Sequence, residues 1–269
     1  MKDTEYISLK EMDERGFAEI RKEARYFQCE FCMSSIIKDS IFVFIRNYIR
    51  KAERKAEIMF FPFLNDDLEA VSFIRDDTIF LCLNTERKLS DEIYASANEL
   101  YRIFKYIEDE DCGSLCSILT RDMIENDIPD ATDAEANAFA RLLLIPDNLL
   151  SEAVSVNGID FTKAGIRDVL LMMSLFAVPF RPAVIRLYEC GYITKEKALT
   201  LLSTPKKEIE NELKISAFSR IWQLSGKGTE SLGSFMETYE YAVSNDFLPE
   251  GKKKQESDFI DEVRKNFSV

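Results

Sequence analysis

Between Thr78 and Arg102 the chain reads T-I-F-L-C-L-N-T-E-R-K-L-S-D-E-I-Y-A-S-A-N-E-L-Y-R. Its two halves follow different periods. Thr78 to Leu83 is a short apolar run, the pattern of a buried strand. From Ser90 the period lengthens, and Ile93, Ala97, Leu100, Tyr101, Phe104 and Ile107 fall on one helical face. A short strand handing over to a long amphipathic helix predicts an α+β fold.

Upstream, Val71 to Ile74 and Thr78 to Leu83 flank Arg75-Asp76-Asp77, which predicts a hairpin with a tight turn. Ile58 to Phe63 is a further short strand, and Pro62 places it at a sheet edge or at its own end. Before it, Ile41, Phe44, Ile45, Tyr48 and Ile49 make an i, i+3, i+4, i+7, i+8 stripe after the caps Asp39 and Ser40. The basic end of that helix, Arg46 to Lys55, reads as a solvated face that suits a helix C-terminus. Phe17, Ile20, Ala24, Phe27 and Phe31 predict a first helix over 17–37.

Downstream, a short helix is expected around Leu115 to Ile124. Thr132 opens another with Ala136, Phe139, Ala140 and Leu143 in register, and Thr132 with Glu135 forms a T-x-x-E capping-box pattern. Pro146 ends it. Thr162 to Phe176 and Pro182 to Cys190 read as two helices around a tight break, with Gly191 as the C′ residue. This unit is helix-turn-helix-like. Thr194 caps a short helix to Leu202. Polar joints at 203–207 and 225–231 separate further helices, one with the stripe Ile215, Phe218, Ile221, Trp222 and Leu224.

Composition agrees with a mainly helical chain. Only nine glycines and seven prolines punctuate 269 residues, and hydrophobic residues make up 46%, enough for a sizeable core. The net charge of −13 argues against an electrostatic hold on nucleic acid or an anionic membrane. The first residues are charged, with no apolar signal core, and Val169 to Phe180 is too short to span a bilayer. A cytoplasmic location without membrane contact is expected. There is no histidine. That excludes His-based triads, His general bases and ordinary His-ligated zinc.

Three segments together resemble the ImmA/IrrE family of zinc metallopeptidases. Ile79-Phe80-Leu81-Cys82-Leu83-Asn84 is similar to the strand that precedes its active helix. Ala97-Asn98-Glu99-Leu100-Tyr101-Arg102 stands where the family has A-H-E-L-G-H. Glu135-Ala136-Asn137-Ala138-Phe139-Ala140, running on through Leu143-Leu144-Ile145-Pro146, is similar to E-A-N-x-F-A and L-L-M-P. The segment from Phe176 to Ile193 is also similar to the helical stretch that follows. The resemblance covers about residues 35–195. It implies a zincin-like core with a small twisted sheet, a helix-turn-helix-like segment and a C-terminal helical extension. The expected division is a helical segment at 1–34, a degenerate peptidase-like domain at 35–150, the helix-turn-helix-like segment packed on it at 151–202, and the extension at 203–269.

In H-E-x-x-H the two histidines face one way on a helix and bind zinc, while the Glu serves as general base. Carried over, the ligand positions are Asn98, Arg102 and Glu135, and the base is Glu99. Two of the three ligands are changed. Asn98 offers a weak neutral oxygen. Arg102 is permanently cationic, has no lone pair, and would repel the metal. The resemblance therefore implies a frame without zinc, and no cofactor is expected. A fixed guanidinium in the metal's place could pair with Glu135 or Glu99, and an Arg102–Glu135 ion pair is the expectation. Tyr101, where the family has a small Gly, could fill part of the groove. A second metal site could use the thiols of Cys29, Cys32, Cys112 and Cys116, but Cys29-Glu30-Phe31-Cys32 lies in a helical pattern, which favours small apolar cysteines.

The resulting reading is a non-catalytic protein that binds a protein partner, in this family a repressor-type regulator. One alternative is a metal-dependent peptidase rebuilt around Glu99 and Glu135. Another is a DNA-binding regulator acting through residues 162–193 with Arg181 and Arg186, against which stands their near-neutral charge balance.

Overall fold

The computed structural model describes residues 6–31, 36–63, 65–108, 114–125, 131–160, 165–215 and 235–267. Helices dominate. A one-turn helix α1 (Leu9–Met12) leads into α2 (Glu14–Phe31). Residues 32–35, part of the expected first helix, lie outside the described residues, and Ile36 and Ile37 are not helical. A 3-10 turn at Lys38–Ser40 then feeds α3 (Ile41–Lys51), whose predicted stripe is buried.

Three strands follow: β1 (Lys55–Phe61), β2 (Leu68–Arg75) and β3 (Thr78–Asn84). The β2–β3 hairpin turns on Asp76 and Asp77, with φ of 48° and 63°. Two central residues of positive φ match the right-handed twist of the strands, and Asp tolerates that conformation. β1 lies parallel to β3 at one edge, and Pro62 follows its last residue, so no ladder bond is lost to the missing N–H.

After β3 comes the long helix α4 (Leu89–Glu108), then β4 (Cys116–Thr120) and α5 (Arg121–Glu125). The helix expected around 115–124 is thus a strand and a five-residue helix. Cross-strand pairing won over local pattern: β4 completes the sheet on the free edge of β2, in the order β1-β3-β2-β4. Next come α6 (Ala131–Leu144), α7 (Asp147–Asn157), α8 (Ile166–Phe176), α9 (Phe180–Glu189), α10 (Lys195–Leu202) and α11 (Lys206–Ile215). The segments α12 (Phe235–Ser244) and α13 (Glu250–Phe267) are likewise helical, and Tyr239 donates to the carbonyl of Lys253 between them. The stripe expected from Phe218 to Leu224 lies outside the described residues.

The core joins parts that the sequence reading separated. Phe27 of α2 is fully buried among Tyr48 of α3, Phe104 of α4 and Phe139 of α6, with ring centroids 4.8, 5.2 and 5.4 Å away. The α2 side chain Gln28 also donates to the carbonyls of Leu142 and Leu143 at the end of α6. The N-terminal helix therefore shares one core with the sheet and its helices.

α8 and α9 meet at 100°, with Ala177 in the left-handed conformation at the break. Gly191 ends α9 at φ 76°, and Tyr192 N–H reaches back to Leu187 O, as the glycine at C′ led one to expect. Thr194 Oγ1 accepts from Lys197 N–H and caps α10, again as expected. α9 is held inward by charge. Arg186, 2% exposed, donates to Ile145 O and pairs with Asp147 and Glu189. Arg141 of α6 pairs with the same Glu189 at 3.0 Å. Among the described residues no single helix is long and apolar enough to cross a membrane.

Candidate functional site

The residues singled out by the sequence do converge, on the seam between α4 and α6 and on the sheet beneath α4. Tyr94, Asn98 and Arg102 stand at i, i+4 and i+8, so they share one face of α4. Opposite them on α6, Asp133 and Asn137 are also four apart. The pairings run in opposite directions along the two helices. Arg102 Nη2 donates to Asp133 Oδ1 at 2.7 Å. Asn98 Nδ2 donates to Asn137 Oδ1 at 2.9 Å, and Tyr94 O–H donates to the Asn137 carbonyl at 3.2 Å. Asn137 Nδ2 in turn donates to Met123 O, which ties the segment after β4 to the seam.

Glu99 points the other way, into the sheet. It is fully buried. Ser72 of β2 donates to Oε2 at 2.5 Å, and Ser117 of β4 donates to Oε1 at 2.9 Å. Arg102 Nε lies 3.3 Å from Oε1. Burial raises the Glu99 carboxyl above the usual carboxylate range, and Arg102, Ser72 and Ser117 pull against that rise. Both oxygens accept a hydrogen bond and the side chain is closed off from solvent.

The expected Arg102–Glu135 pair is corrected by this geometry. Arg102 pairs with Asp133 and Glu99, while Glu135 accepts from Tyr101 O–H at 2.8 Å. The reason is positional. Asp133 and Asn137, four residues apart, face the Arg102 row of α4, whereas Glu135 is offset toward Tyr101. The expected T-x-x-E cap is also displaced, since α6 is already helical at Ala131 and Thr132 lies within its first turn. Tyr101 is itself fully buried, its ring 5.2 Å from Phe139. Burial and the Glu135 carboxylate push its phenol far up, so it stays a neutral donor.

A zinc ion does not fit these side chains. Asn98, Glu99, Arg102 and Glu135 are each committed to a protein partner, and a guanidinium occupies the centre. No three Cys, Asp or Glu side chains gather for a metal among the described residues. Of the four cysteines weighed as a second site, Cys29 and Cys116 are exposed, which corrects the expectation of small buried groups for Cys29; Cys32 and Cys112 lie outside the described residues.

Sequence reasoning missed Asp133, Ser72 and Ser117. Asp133 was legible as the residue four before Asn137, on the same helical face. Ser72 and Ser117 gave no signal, because only the pairing of β2 with β4 sets them side by side, in register, beneath α4.

The chain matches no family model and no curated protein.

Proposed function

We propose that this protein works by binding a protein partner and not by hydrolysis, on a peptidase-like frame whose metal position has become a structural ion-pair lattice. The observation that carries the reading is Arg102, held between Asp133 at 2.7 Å and Glu99 at 3.3 Å where the resemblance to ImmA/IrrE peptidases would place a metal ligand. A cation fixed there balances two buried carboxylates as a metal would, without offering a lone pair or an open coordination position. Active members of that family cut repressor-type regulators, so a repressor is the partner class we infer.

The competing readings lose support from the same geometry. A rebuilt peptidase would need Glu99 within reach of water, and Glu99 is sealed by two serines. A DNA reader would need an open face on α9. Instead Pro182 to Leu187 are buried, and Arg186 is engaged by Asp147 and Glu189.

The test is to mix the purified chain, supplied with zinc, with a helix-turn-helix repressor and follow both by size exclusion. Co-elution with intact repressor supports the proposal. Cleavage that disappears in Glu99→Gln refutes it.

A further inference from the structure

A cavity of about 540 Å³ lies apart from the Arg102 lattice, between the start of β2, the first turn of α4, the α8–α9 break and α11. That is within the usual range for small-molecule sites. Its polar end carries Glu69, Arg87, Asp91 and Arg121. Its apolar side carries Met173, Phe180 and Ile209.

Glu69 is the unusual member. Its side chain is only 4% exposed. One carboxylate oxygen, Oε1, is shared by the Nε atoms of Arg87 and Arg121, both at 3.1 Å. The other, Oε2, is buried and has no hydrogen-bond partner. A buried acceptor left unmatched is a desolvation cost with no return inside the protein. As they stand the two arginines leave Oε2 unmet: Arg87 spends its Nη2 on the carbonyl of Asp66, Arg121 gives its Nε to Oε1, and Arg87 Nε, although 3.1 Å from Oε1, makes no hydrogen bond. Burial pushes the Glu69 carboxyl up to about 7, against the opposing pull of Arg87 and Arg121. Asp91, on the same rim, is raised by burial as well.

We propose that this cavity binds a primary ammonium group carried on an apolar body, the ammonium donating to Glu69 Oε2 and the body lying against Met173, Phe180 and Ile209. A free alkylamine and the lysine side chain or N-terminus of a peptide share that chemistry. An ammonium supplies three donors and no acceptor, which suits a carboxylate oxygen beside a second carboxylate. Because the cavity wall comes from both the sheet end and α8–α11, an occupant would brace one against the other. This inference does not rest on the Arg102 lattice.

The probe is n-hexylamine, titrated into the full chain at mildly alkaline pH and followed by calorimetry. The matched controls are hexanol and hexanoate, with acetyl-lysine-methylamide and a free-amino leucine dipeptide as the peptide arms. The expected result is binding of hexylammonium at least about tenfold tighter than either control, and about tenfold weaker in Glu69→Gln. Asp91→Asn and Phe180→Ala, each checked by circular dichroism, repeat the test should Glu69→Gln fail to fold, and both should weaken the same ligand. A peptide arm that outcompetes hexylamine would make the ligand a segment of a partner protein. Hexanoate binding as well as hexylamine would overturn the proposal, as would undiminished affinity in the folded variants.

Discussion

Replacing Arg102 by Met removes the guanidinium and keeps most of the aliphatic bulk. The side chain is 13% exposed, and its partners Glu99 and Asp133 are 0% and 8% exposed. Two buried carboxylates would lose their counter-charge together. Breaking a buried pair from one side costs about 3–5 kcal/mol, because the remaining charge stays in a poor solvent. At roughly 2 °C per kcal/mol for a chain of this size, the melting temperature should fall by about 6–10 °C. The loss should shrink at low pH, where the orphaned carboxylates escape by taking up protons. It should also shrink to about 1–2 kcal/mol in the triple variant Arg102→Met, Glu99→Gln, Asp133→Asn, since no buried charge is left and the amide at position 99 still meets Ser72 and Ser117. Urea unfolding of the natural protein and both variants decides it. A loss below about 1 kcal/mol in the single variant would make Arg102 an ordinary surface cation. A triple variant no better than the single would show that charge balance is not what the lattice provides.

Tyr101→Phe keeps the ring against Phe139 but deletes the donor to Glu135, and should cost about 1–2 kcal/mol in the same assay. Glu69 gives a pH dependence whose sign follows from its raised carboxyl. The folded state holds that proton more tightly than the unfolded state, so its contribution to stability falls as pH rises from 4.5 to about 7. The drop, taken as the natural protein against Glu69→Gln, should be about 3 kcal/mol. Arg186→Met should destabilise by about 1–3 kcal/mol, because Glu189 keeps Arg141 and Asp147 keeps Arg21, and should leave any duplex binding unchanged, measured by urea unfolding and fluorescence anisotropy.

Much of the fold was legible where period and punctuation agree. The α3 stripe, the Asp76-Asp77 turn, the buried face of α4, the Gly191 terminus and the Thr194 cap each followed from local chemistry. β4 was not legible, because a five-residue run beside a helix start has no local signature stronger than the sheet edge that recruits it. The site divides in the same way. Asn98, Glu99, Arg102 and Glu135 could be singled out only through the resemblance to the ImmA/IrrE signatures. Which carboxylate faces Arg102 could not, since it depends on how α4 and α6 are rotated against each other. Nor could the cavity be read, whose walls come from five separate stretches of chain.

The most direct test is the metal content of freshly purified protein, measured by elemental analysis beside the Asn98→His, Arg102→His double variant. The account predicts no stoichiometric metal in the natural protein and zinc in the double variant, removed again by Glu135→Gln. One equivalent of zinc in the natural protein would contradict it.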